Sequence, residues 1–341
     1  TDVTGDLDNA TYTNFSGACW AAGENRVLGS DTVEAVQYGN YAYLVTGRQY
    51  YKVDLSQSIP VVEEWTNYNG TGEMPSDTGG NKCSIITRFG GRIVMSGLIS
   101  SSNNWFMSKI GDPDDWSPTA SSNADAQAGD SSTEFGVLGE PITALFPFGD
   151  QGLMMASKNT LTYLTADPIV TGAQMIRMSN GVGVMDTKGW CQGPEKTCYV
   201  ASGDGVYLLQ PNQFNIQRGQ SITTGRLDGF FASLSPTETS LHLAYDPSRM
   251  SIMMFVNRSA DPVNVVHYQH HIPTQSWWNF STTDLRLDVV NTTCLYSPLS
   301  GERSGLWIGC NSGRISFQPT TGVIGYDGGA HTSPFRTDTD N

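Results

Sequence analysis

The chain has 341 residues and a formal net charge of −14, with 19 Lys and Arg against 33 Asp and Glu. So acidic a chain lacks the cations that neutralise phosphates, which excludes a domain that grips nucleic acid by its backbone; a wall that DNA slides past, or a soluble particle or extracellular protein, remains compatible. No apolar run approaches the roughly 20 residues that span a bilayer as a helix, and 37 glycines without runs of helix-forming residues are the composition of short strands joined by tight turns.

The chain opens on Thr1-Asp2-Val3, with neither an initiator Met nor an apolar leader, so a processed chain or a fragment is expected. Residues 1–34 are expected to supply a ring-closing strand. Six strand units follow. The first is AVQYGNYAYLVTGRQYYKVDL from residue 35, and the second is CSIITRFGGRIVMSG with WFMSKIGDP. PITALFPFGDQGLMMASKNTLTYLTADP (141–168) and GWCQGPEKTCYVASGDGVYLLQP (189–211) are the third and fourth. LHLAYDPSRMSIMMFVNR with VNVVHYQHHIPTQSWWNF is the fifth, and TTCLYSPLSGERSGLWIGCNSGRISFQP (292–319) the sixth. Each unit reads as apolar strand, turn, apolar strand, second turn and third strand. The starts fall about 50 residues apart, the signature of propeller blades, which bury their faces against neighbours and leave short edges. The expected fold is all-β: a single β-propeller over residues 35–320 with six blades, or seven if 212–240 forms another, and a polar tail at 321–341.

Candidate chemistry is sparse. The phosphate-cradling, nucleophile-elbow and HExxH patterns do not occur, and no cofactor is expected. Cys191 and Cys198 flank one turn symmetrically, as Cys294 and Cys310 flank another. Either each pair staples a hairpin in an oxidising setting, or all six cysteines, with Cys19 and Cys83, are reduced thiols. Six Asn-X-Ser/Thr sites (Asn9, Asn14, Asn69, Asn257, Asn279 and Asn291) are weak pointers to a glycosylated secreted protein. In HYQHH, a strand would set His267 and His271 roughly 13 Å apart and turn His270 to the other face, so a shared metal is not expected. Asp112, Asp114 and Asp115 read as a solvated turn rather than a calcium loop, and SGDGVY (202–207) as a plain hairpin. Trp277 and Trp278 are adjacent strand residues: one packs between blades and the other faces outward, where it could stack on a sugar.

The order of phrases carries more than any one motif. FGGR and MSG (Gly91, Arg92, Ser96, Gly97), a strand ending in Ser, and IGDPDDW (Gly111, Asp112, Pro113, Trp116) come first. LGEPITALFPFGDQGLMMASKNTLTYLTADP, a Gly-Val-Gly segment, ASGDGVYLL and a late SWWNF follow. This series resembles the propeller of tail nozzle (tail tubular protein B-like) proteins of short-tailed bacteriophages, and related stabilisation and hub proteins. The resemblance implies a structural, non-enzymatic virion component. It would form a homo-oligomeric ring below the portal and adaptor, carry fibres, let double-stranded DNA pass without tight binding, and touch no membrane. The alternatives are a secreted or cell-surface propeller that binds glycan or protein, and a propeller glycosidase or lyase.

Overall fold

In the computed structural model of the protein, the described residues are 33–57, 61–66, 73–118, 125–132, 134–211, 216–217, 219–235, 237–259, 265–281, 289–296, 305–310, 315–319, 326–327 and 331–332. The chain divides into two compact units, Thr1–Met178 and Ser179–Asn341. The N-terminal strand expected before residue 33 lies outside the described residues, as does most of the tail.

The first unit contains three antiparallel sheets, each made from strands consecutive in the chain. The first blade is β1 (Glu34–Tyr38), β2 (Tyr41–Val45), β3 (Tyr50–Asp54) and β4 (Val61–Glu64). The second is β5 (Ile85–Phe89), β6 (Arg92–Leu98), β7 (Ser101–Met107) and β8 (Gln127–Ala128). The third is β9 (Ile142–Phe148), β10 (Gly152–Ser157), β11 (Thr160–Leu164) and β12 (Met175–Asn180), the last reaching into the second unit. The leading strands lie side by side, β1 against β5 and β5 against β9.

The second unit repeats the plan. Its fourth blade is β13 (Trp190–Gln192), β14 (Cys198–Ser202) and β15 (Gly205–Leu209). The fifth is β16 (Thr239–Asp246), β17 (Ser251–Arg258), β18 (Val266–His271) and β19 (Ser276–Ser281). The sixth is β20 (Val290–Tyr296), β21 (Gly305–Cys310) and β22 (Ile315–Pro319), followed by a hairpin of β23 (Tyr326–Asp327) and β24 (His331–Thr332). Here β13 lies against β16 and β16 against β20. The described residues of 212–240 form turns, a short helix α1 (Asp228–Ala232) and the first residues of β16 rather than a seventh blade. The segment's Gly and Thr turns and its lack of apolar alternation account for this.

The core sits in the seams between blades. Tyr43, Val45 and Tyr50 of the first blade pack with Ile86, Ile93 and Met95 of the second. Phe89, Val94 and Met107 pack with Leu145, Leu153 and Met155 of the third. Along β17, Ile252, Met254 and Val256 join Tyr199 and Val206 of the fourth blade, whereas Met253 and Phe255 join Leu306 and Ile308 of the sixth. Successive strand residues point to opposite faces, and both faces are covered, so the strand reads as an unbroken apolar run.

Candidate functional site

The most distinctive phrase of the sequence, residues 89–116, closes the seams on both sides of the second blade. Gly90 and Gly91 take φ of 56° and 78° in the turn between β5 and β6, a conformation that two side-chain-bearing residues adopt only with strain. The Gly91 carbonyl accepts from the Tyr38 hydroxyl at 3.0 Å and from the Gly111 amide at 2.9 Å. The turn thus ties the first blade to the GDP loop.

Arg92 follows at once and is 0% exposed. Its Nε donates to Asp167 Oδ2 of the third blade's exit loop at 2.7 Å, and its Nη2 to Oδ1 at 3.3 Å. Its Nη1 donates to the Ser108 and Asp125 carbonyls at 2.6 and 2.8 Å. A buried guanidinium is tolerated where its fork is paired and its other protons find acceptors. Ser96 is buried and donates to the Asn104 carbonyl at 2.6 Å. Gly97, at φ 83°, forms the bulge where the β6–β7 register slips; a Cβ there would meet Ser84 Oγ at 2.4 Å.

The GDPDDW loop is a folded clasp. Gly111 has φ of 77°. Asp112 Oδ1 accepts from the Asp114 amide at 3.1 Å, Asp114 Oδ1 from the Trp65 indole at 2.9 Å, and Asp115 Oδ1 from the Ser117 amide at 3.2 Å. Trp116 donates to the Pro113 carbonyl at 2.8 Å and meets Trp65 edge-on at 5.8 Å. Burial raises the Asp114 carboxyl above its usual range. The expected solvated turn is therefore corrected: Asp115 is buried and Asp114 half-buried, because the loop packs onto Trp65.

A pocket of about 200 Å³ opens beside that clasp, bordered by Tyr50, Glu64, Trp65, Glu73, Met74 and Lys82. The Tyr50 hydroxyl donates to the Pro75 carbonyl at 2.7 Å and accepts from the Cys83 amide at 2.8 Å, and Lys82 Nζ sits 5.6 Å from the Tyr50 ring centre. The pocket is below the size of drug-sized ligand sites.

The fifth blade holds the histidines in β16 and β18. His242 Nε2 and Thr293 Oγ1 of the sixth blade lie 3.0 Å apart. Phe255 stands between His242 and His267, with ring centres 6.0 and 5.5 Å away, and His267 Nδ1 accepts from the Val256 amide at 3.0 Å. His270 faces the other way and stacks on Trp277 at 4.8 Å. Burial lowers all three pKa values, to about 3 for His242 and about 4 for His267 and His270; the nearby Lys188 charge adds to the effect at His242. Among the described residues, no three metal-binding side chains cluster. Trp277 is half-buried and donates to the Ile222 carbonyl at 3.2 Å, whereas Trp278 faces outward.

The cysteine staples need correction. Cys191 is opposite Tyr199, and Cys198 is opposite Gln192; this one-residue slip turns the two thiols to opposite faces. The cause is a five-residue turn closed by Gly193 and Thr197, not a turn centred between the cysteines. Cys294 is opposite Trp307, and Cys310 lies three residues, roughly 10 Å, further along. Cys83, Cys191, Cys198 and Cys294 are free thiols; Cys294 is exposed, and the other described cysteines, Cys310 included, are buried. Cys19 lies outside the described residues, as do Asn9, Asn14 and Asn69. Both ends of the Asn257 amide bond the Val290 backbone, at 2.8 and 2.9 Å, whereas Asn279 is exposed. The SGDG turn is a plain hairpin with Ser202 opposite Gly205.

Several roles were hidden from the sequence. Asp167 and Asp125 are Arg92's partners, Trp65 is the anvil under the GDPDDW loop, and Thr293 is the partner of His242. The Thr-Ala-Asp-Pro phrase flags Asp167 as a turn former, and nothing local assigns it the arginine 75 residues earlier.

No family model matches the sequence, and no curated protein is similar to it. Solved structures are similar in fold. A chain of the S. cerevisiae Dbp5–Nup159–Gle1 complex is 11% identical with a TM-score of 0.51, over 91% of this chain and 79% of that one. The extracellular domain of a one component system, BT4673 from B. thetaiotaomicron, is 12% identical with a TM-score of 0.49, over 89% and 34%. PorZ, a surface component of the type-IX secretion system of Porphyromonas gingivalis, is 11% identical with a TM-score of 0.42, over 86% and 33%. The chain spans about a third of the length of the two bacterial proteins. The sheet order and the likeness to the yeast chain make this an all-β propeller. Likeness at this identity carries the fold alone.

Proposed function

We propose that the chain is a non-catalytic propeller that serves as a rigid scaffold for partners. The observation that carries this reading is the fate of its most conspicuous polar phrase. Arg92 and Asp114 spend hydrogen-bonding groups on Asp167 of the third blade and on Trp65, and Asp112, Asp115 and Trp116 spend theirs within their own loop. A catalytic carboxylate or guanidinium would instead face a cleft open to substrate.

The setting we propose is the tail of a short-tailed phage, as a ring that extends the DNA channel and meets adaptor and fibre proteins. The ordered phrases support this setting, and the net charge of −14 suits a wall that DNA must pass without sticking. A second reading, a secreted or surface propeller that binds glycan or protein, is favoured by one observation: an exposed tryptophan on the fifth blade. Negative-stain microscopy beside intact-mass measurement tests both. Rings or particle-bound density at the bare-chain mass support the tail setting. Discrete monomers carrying hexose-sized additions overturn it in favour of the surface propeller.

A further inference from the structure

We propose that the outer edge of the fifth blade is a stacking platform for a neutral pyranose ring of a glycan, built from Trp278 and His271. β19 is the last strand of its sheet, and Trp278 on it is 53% exposed. The adjacent Trp277 points the other way into the packed seam, so the two indoles have different tasks.

The platform is held in shape. The His271 ring lies 5.8 Å from Trp278 with only 25° between the planes, and His271 Nδ1 is 2.8 Å from Thr274 Oγ1. The imidazole is pinned at one nitrogen and backs the indole, while its Nε2 is left for a ligand. Gln269 is opposite Trp278 in the register. Its amide nitrogen donates to Ser251 Oγ at 3.0 Å, which fixes the side chain and leaves its carbonyl oxygen as an acceptor. An aromatic side chain held this rigidly adds contact area with little further loss of conformational entropy on binding.

The chemistry around the indole selects the ligand. β18, β19 and the turn between them contain no Lys, Arg, Asp or Glu. A nucleobase stacks on aromatics inside a basic groove that follows the phosphates, and the described residues of these two strands and their turn supply no cation for one. A protein hot spot sits at the centre of a patch from which neighbouring contacts exclude water, whereas Trp278 has the polar side chains of His271 and Gln269 beside it. A neutral sugar ring fits both features. Its C–H face is drawn to the negative face of the indole, and its hydroxyls find an imidazole nitrogen and an amide oxygen. The platform deepens the second reading above, which rests on the same indole; its failure would remove that support and leave the tail setting standing.

The test is native affinity electrophoresis of the full chain through gels cast with neutral polysaccharides: a glucan, a mannan, a xylan and a galactan. Trp278→Ala and Trp278→Phe are run alongside; because the residue is exposed, both should melt with the parent. The expected result is retardation on at least one polymer, weakened about tenfold or more by Trp278→Ala and within about threefold of the parent in Trp278→Phe. Oligosaccharides of that polymer should shift the tryptophan emission of the parent and not of Trp278→Ala. Absence of retardation on every polymer, or equal retardation of parent and Trp278→Ala, overturns the proposal. So does Trp278-dependent self-association in light scattering without polysaccharide retention, which would assign the indole to a protein contact.

Discussion

Acidification should loosen the fifth blade before it disturbs the rest. His242, His267 and His270 are each at most 5% exposed, and burial holds their pKa values at about 3, 4 and 4 against about 6.5 in an unfolded chain. The unfolded state therefore takes up protons first as the pH falls. The stability tied to these neutral imidazoles is intact above about pH 6.5 and is lost progressively down to about pH 4. Between pH 7 and pH 5 each histidine forfeits roughly 2 kcal/mol, so the three together forfeit about 6 kcal/mol. Relief of self-repulsion in a chain of net charge −14 opposes this with a smaller effect. A loss of that size rivals the whole stability of a marginal domain. Amide exchange should show β17 and β20 losing protection between pH 7 and pH 5 while β6 and β10 keep theirs, and the urea midpoint should fall by about 1–2 M. Imidazole titrations by NMR give the deciding result: three rings titrating near 6.5 in the folded chain would refute the reasoning.

Three further outcomes follow from the geometry. Asp167→Ala leaves the Arg92 guanidinium buried without its carboxylate, so it should lower unfolding free energy by about 3–5 kcal/mol, read by urea titration; a loss below about 1 kcal/mol would show that the pair is solvated. Gly152→Ala places a Cβ 2.0 Å from the Tyr163 ring and should destabilise by about 1–3 kcal/mol or more through overpacking, measured as a drop in melting temperature. Of the five described cysteines, Cys294 alone should react with a thiol reagent under native conditions, since burial raises the pKa of Cys83, Cys191 and Cys198; rapid labelling of Cys191 or Cys198, mapped by peptide mass, would contradict the packing.

The blades were legible because their signal is local. The run SIMMFVNR is apolar without alternation because β17 is covered on both faces, and the paired glycines at 90–91 announce the turn they make. The division of labour between Trp277 and Trp278 follows from strand geometry alone. Hairpin register was not legible. A register one residue off the symmetric pairing moved Cys198 to the far face from Cys191, and sequence symmetry carries no information about which residues close a turn. The uses of polar residues were also hidden, because they are set by distant partners. GDPDDW looks solvated until Trp65, about 50 residues earlier, is folded beneath it.

The Arg92–Asp167 pair gives the seam between the second and third blades a particular mechanical character. Apolar packing resists shear gradually, since sliding one side chain past another exchanges some contacts for others. A charge-assisted bond of 2.7 Å holds firmly over a fraction of an ångström and weakens steeply once its geometry is lost. With that bond added to its Phe, Val, Leu and Met packing, this seam is stiffer and more brittle than the seam between the fourth and fifth blades, with its Leu, Ile, Met and Val contacts. Under an applied load the two would yield in different ways, one by abrupt release and the other by creep.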